Sequence, residues 1–234
     1  MTPSSAWREF LAHLREITEL LRADPSSNYS ERKSGQRTTN LELSGAITKG
    51  AMSLTSGRLQ GCVVSQVQEF LERIDQSGIS VEQIPEILRG HLALSYPKSA
   101  PNEEKVRHAI TVQQANAPLW TPGITVQPGM IKTSSLPDRV WNPWPRKVDD
   151  LLSRCDIDLF GFIEQEHGAA YLANLKTYVD DLVEFRNKVA HGDEPQPLGA
   201  SDVRRSMRWA IRLARAADGA LARKLTEITG EPAW

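Results

Sequence analysis

Between Gly168 and Ala190 apolar side chains recur at steps of three and four residues: Leu172, Leu175, Val179 and Leu182, with Val189 two turns further on. A helix turns once in about 3.6 residues, so this spacing gathers them into one seam that another helix must cover. A seam of that length commits the chain to helix-on-helix packing. The same rhythm recurs from Ser5 to Ala23, through Trp7, Phe10, Leu11, Leu14, Ile17 and Leu21. It returns from Leu43 to Asp75, through Ile47, Leu54, Val63, Val67, Phe70, Leu71 and Ile74, and again from Ala200 to Ile228. No run alternates with the two-residue period of a strand. The fold expected is all-α, a bundle of long antiparallel helices.

The seams are joined by polar or irregular stretches. Residues 24–40 are a Ser-, Asn- and Arg-rich connector. Shorter helices are expected at Ser80–Leu94, Glu103–Asn116 and Arg146–Cys155, the last approached through Pro143 and Pro145. Residues 117–145 combine repeated prolines with Trp120, Trp141 and Trp144, and read as a long irregular insertion. Its tryptophans could stack on nucleobases or fill a core or interface. Gly45, Gly50, Gly57 and Gly61 lie in the first half of the Leu43–Asp75 element. Each glycine costs a helix interior about 1 kcal/mol, so close packing against a neighbour is expected there. The whole of 1–234 is read as one domain.

Composition narrows the classes. Lys and Arg total 28 against 29 Asp and Glu, so no net field draws the chain to nucleic acid. Two cysteines, Cys62 and Cys155, give no disulfide framework, and His13, His91, His108 and His167 lack metal-ligand spacing, so no metal or other cofactor is expected. No apolar run approaches the roughly 20 residues of a membrane span, and a cytoplasmic setting is expected. Charge is uneven, however. Arg204, Arg208, Arg212 and Arg215 follow helical spacing and form a basic stripe, either a solvated face or a phosphate-facing one.

Continuing the apolar seam by one turn from Leu182 reaches Arg186. A guanidinium on an apolar stripe must find a partner, because an unpaired buried charge is very costly. Asn187 and His191 lie four apart on a more polar line, and Gly192 ends the helix. Arg186 and His191 are separated by about 140° on an ideal helix. One helix alone therefore does not bring them together, although the helix end or a second copy across a two-fold axis could. Arginine offers a planar donor fork to phosphate oxygens, and histidine exchanges protons near neutrality.

The stretch Leu182-Val183-Glu184-Phe185-Arg186-Asn187-Lys188-Val189-Ala190-His191-Gly192 resembles the signature of the HEPN superfamily, all-helical domains with an Arg…His motif. Asn142-Pro143, Lys147–Leu152 and Asp156-Ile157 are similar to the segment before the motif helix in the RiboL-PSP-type group. Gln68–Ile74 is similar to that group's early helix, and Ser201-Asp202-Val203 to the start of its last one. The resemblance thus spans roughly Leu43 to Leu225. It implies a metal-independent endoribonuclease of a prokaryotic defence or toxin–antitoxin system, dimeric through the motif helix, with RNA as substrate and an antitoxin or other defence protein as possible partner. It implies catalytic roles for Arg186 and His191, with Asn187 orienting them. Lys188, Arg204, Arg208 and Arg212 are the candidates for substrate binding, and Glu69 for tuning the site. Other members of the superfamily are catalytically silent binding modules, which is the alternative; a helical nucleic-acid binder using the arginine stripe is a third reading.

Overall fold

The computed structural model describes residues 3–23, 37–93, 111, 114, 117–131, 136, 142–193 and 198–234, with the main chain alone at 37–41 and 93. Seven α-helices and no β-strand are found among them: α1 Ser5–Arg22, α2 Arg37–Gln76, α3 Glu86–Ala93, α4 Pro145–Ser153, α5 Leu159–His167, α6 Ala169–His191 and α7 Ala200–Thr229. The chain is all-α, as its periodicity requires.

Most helix ends carry a local reason. The Ser4 hydroxyl accepts the Trp7 amide at the start of α1. Pro145 opens α4, where its missing N–H is no loss. The Asp158 carboxylate caps α5 by accepting the Gly161 amide at 2.8 Å. Gly168, at φ 86°, both ends α5 and precedes α6, a left-handed geometry that a side chain would strain. Asp202 reaches back to accept the Gly199 amide at 3.1 Å before α7.

The helix α2 is the spine, packed along α1, α6 and α7, while α6 and α7 lie against each other. Rings and side chains pair in reverse order along the last two helices, so they run antiparallel: Tyr171 and Tyr178 meet Trp209, and Arg212 reaches Tyr171. Leu172, Leu175, Val179 and Leu182 are buried in one contiguous core with Phe70, Leu71 and Ile74 of α2 and Leu213, Ala214 and Leu221 of α7. Fully burying one leucine side chain is worth about 2 kcal/mol, so the α6 seam is a main source of the fold's stability. One polar cluster crosses that core. Buried Asp218 of α7 accepts the Ser4 hydroxyl and, at 3.4 Å, the Gln66 side-chain amide, joining the beginning of α1 to α2 and α7.

Three expectations change. The glycine-bearing element is one unbroken 40-residue helix, but it is not closely packed at its glycines. Among the described residues, a Cβ placed on Gly45, Gly50, Gly57 or Gly61 would meet nothing within 4 Å. The helix holds because Ala51, Met52, Thr55, Leu59, Cys62 and Val63 are buried along it. A helix not foreseen, α5, fills the interval between the expected ones. The expected Ser80–Leu94 helix is instead a 3-10 turn, Val81–Gln83, followed by α3. The helix expected at Glu103–Asn116 and the side chain of Trp141 lie outside the described residues, apart from residues 111 and 114. The described part of the insertion is tied down locally: Val81 donates to the Ile124 carbonyl at 2.9 Å, and Asp75 accepts the amides of Gly129 and Ile131 at 2.6 and 2.8 Å.

Candidate functional site

The end of α6 is fixed by two backbone bonds. Gly192 adopts the left-handed conformation at φ 80° and donates to the Val189 carbonyl at 3.2 Å, while Asp193 donates to Lys188 at 2.9 Å. That pair of bonds is a Schellman termination, which leaves the preceding residue as the helix cap. His191 is that residue, and its side chain is exposed at the tip of the helix. A basic side chain there is also favoured by the negative end of the helix dipole.

Arg186 lies five residues earlier, half-buried on the core side of α6. Its guanidinium Nη1 donates to the side-chain oxygen of Asn142, just ahead of α4. The arginine on the apolar seam is thus held by an amide 44 positions away in sequence. Asn187 is half-buried between the two, one turn before His191. Arg186 and His191 therefore occupy different sides of α6, as their spacing demands.

The remaining candidates are spread over several surfaces. Lys188 is exposed and bonded to Glu184 at 2.7 Å, a contact that raises the pKa of its ammonium. Arg204 and Arg208 are exposed on α7. Arg212 continues their row and stacks over the rings of Trp209 and Tyr171, at 4.2 and 5.5 Å from their centroids. The row is therefore part solvated charge and part aromatic ledge. Glu69 sits on α2 beside the start of α1, where its carboxylate accepts the amides of Ser5 and Ala6 at 3.0 and 2.7 Å. It caps α1.

Between the end of α6 and the start of α7 an open cleft of about 480 Å³ is lined by Tyr178, Asp181, Glu184, Phe185 and Lys188 on one side. Asp202, Arg205 and Ser206 line the other side, with Met52 and Leu198. The periodicity of each helix marks the individual residues, but only the antiparallel pairing brings them together. Neither thiol offers a nucleophile: both cysteines are buried, and burial pushes Cys155 up to about 12 and Cys62 higher still. Trp144 is half-buried and packs against the core.

Residues 141–223 match the model of the RiboL-PSP-HEPN family, a HEPN-type domain. The match runs from the residue before Asn142 to Arg223 and takes in Arg186, His191 and the cleft. It does not extend to Gln68–Ile74 on α2, so the span is narrower than the resemblance suggested. No curated protein and no solved structure matches the chain. The family match points to a nuclease or an RNA-binding module.

Proposed function

We propose that this protein is a metal-independent endoribonuclease acting as a homodimer. RNA carries its own nucleophile, the 2′-hydroxyl beside each phosphate. Cleavage requires removal of that proton, stabilisation of the extra negative charge on phosphorus, and a proton for the departing 5′ oxygen. An imidazole can exchange both protons, and a guanidinium can hold the phosphate oxygens throughout. Attack forms the new bond from the 2′ oxygen to phosphorus and breaks the bond to the 5′ oxygen. The products end in a 2′,3′-cyclic phosphate and a 5′-hydroxyl.

The observation that carries this reading is the pair itself: Arg186 anchored by Asn142, and His191 presented at a rigid helix end within the segment that matches the family. Because the two side chains leave α6 in different directions, a second copy of the helix across a two-fold axis supplies the missing group. The setting implied by the resemblance is a prokaryotic defence or toxin–antitoxin system, in which a partner protein restrains the activity. The same divergence of Arg186 and His191 favours the alternative, a catalytically silent protein-binding or RNA-binding module, if no second copy brings the two groups together.

The test is cleavage of mixed RNA in EDTA by the wild type, His191→Ala and Arg186→Ala, with analysis of the product ends. General acid–base catalysis contributes about 10²–10⁴-fold, so both substitutions should lower the rate by at least that lower figure. Equal cleavage by all three proteins, or products bearing 5′-phosphates, would refute the reading.

A further inference from the structure

We propose that the cleft between α6 and α7 is a guanine-binding subsite, which, resting on the reading above, selects the RNA base near the cut. Its two walls carry complementary chemistry. On α6, Asp181 is exposed and, among the described residues, takes part in no ion pair or side-chain hydrogen bond. The other two acids of the cleft are engaged, Glu184 with Lys188 at 2.7 Å and Asp202 with the Gly199 amide at 3.1 Å. On α7, Arg205 faces the same space, and among the described residues no carboxylate pairs with it. Beside it Ser206, only 7 % exposed, lines the cleft, and no hydrogen bond to its side chain is found among the described residues.

An acceptor pair on one wall and a donor fork on the other select among the bases. Guanine offers two adjacent donors, N1–H and the 2-amino group, which one carboxylate accepts together. Its O6 and N7 are acceptors on the adjoining edge, and they are the commonest partners of an arginine fork. Adenine would turn its N1 lone pair toward Asp181, and cytosine its N3. Uracil has one imide proton between two carbonyl oxygens. Guanine alone satisfies both walls.

The rest of the cleft suits a nucleotide. Tyr178, already stacked on Trp209 with planes 11° apart, and Phe185 supply ring surface. The volume falls in the range of small-ligand sites, roughly 300–1,000 Å³. Lys188 lies on the rim one turn before His191, about 4.5 Å along the axis, so a phosphate held there leads toward the imidazole.

The experiment is calorimetric titration of the wild-type protein with GMP, AMP, UMP, CMP and IMP, repeated with Asp181→Asn and Arg205→Gln. Both side chains are exposed, so the variants should fold. GMP should bind about tenfold more tightly than AMP, as a bidentate base contact allows. IMP, which lacks the 2-amino group, should fall between them. Each substitution should bring GMP to the affinity of AMP while leaving AMP unchanged. Equal binding of all the nucleotides, or a GMP preference that survives Asp181→Asn, would overturn the subsite. Cleavage in EDTA separates the two proposals. Selective GMP binding without cleavage sinks the nuclease reading alone, whereas cleavage with indifferent nucleotide binding sinks the subsite alone.

Discussion

At the scale of single residues, the motif depends on a group far from it in sequence. Arg186 and His191 stand out in the chain because arginine on an apolar seam and histidine before a terminal glycine are both locally anomalous. Asn142 was legible only as part of a family resemblance; nothing in its own neighbourhood pairs it with Arg186, because that contact crosses between elements. Asn142 acts as a positioning residue in the nuclease reading, and its removal takes away one of the contacts that direct the guanidinium. Asn142→Ala should reduce kcat for RNA cleavage by about tenfold or more, the scale expected when a well-oriented group is displaced. Asn142→Asp, which keeps an acceptor at the same place, should recover most of that loss. An unchanged kcat in Asn142→Ala would show that the arginine needs no such anchor.

At the scale of elements, periodicity was a reliable guide where seams were long and a poor one where they were short. The two C-terminal helices could be read from the sequence within a residue or so of their ends. The nine-residue α5 could not, since it has a glycine in its first turn and only Leu159 and Ile163 fully committed to the core. The glycines of α2 misled in a different way, because sequence shows where a side chain is missing but not what stands opposite. With open space beside them among the described residues, these glycines contribute only backbone entropy to the unfolded state. Gly50→Ala and Gly57→Ala should therefore each stabilise the protein by up to about 1 kcal/mol, read as a rise in the urea midpoint with unchanged slope. Destabilisation by either would mean that this face is covered by something in solution.

At the scale of the whole molecule, three buried or half-buried carboxylates contribute to the response to acid. Desolvation raises the pKa of Asp218 in the core, of Asp149 on α4 and of Asp180 on α6, the last helped by neighbouring Asp181. A raised pKa means that the folded chain holds the proton more tightly than the unfolded one. Stability is therefore gained as the pH falls through the folded values toward the ordinary 3.8, and the full penalty is present above them. Glu82, fully exposed and lowered by its bonds to Ser80 and Gly123, acts in the opposite direction. Urea denaturation of the wild type should show a higher midpoint on mild acidification, and Asp218→Asn a smaller rise. Equal rises in both would remove Asp218 from the account.

The cleft belongs to this scale too, since Asp181 and Arg205 become neighbours only when two antiparallel helices are laid together. The same holds for the polar link further along α7. Ser4 and Asp218 stand 214 positions apart, and their contact joins the start of α1 to α7. During synthesis on the ribosome, α1 can settle on α2 early, but this fastening waits until α7 has emerged. By then α6 has also been made, so the contact closes over a core that already holds the Arg186–His191 helix: a newborn copy stays unlocked until α7 arrives.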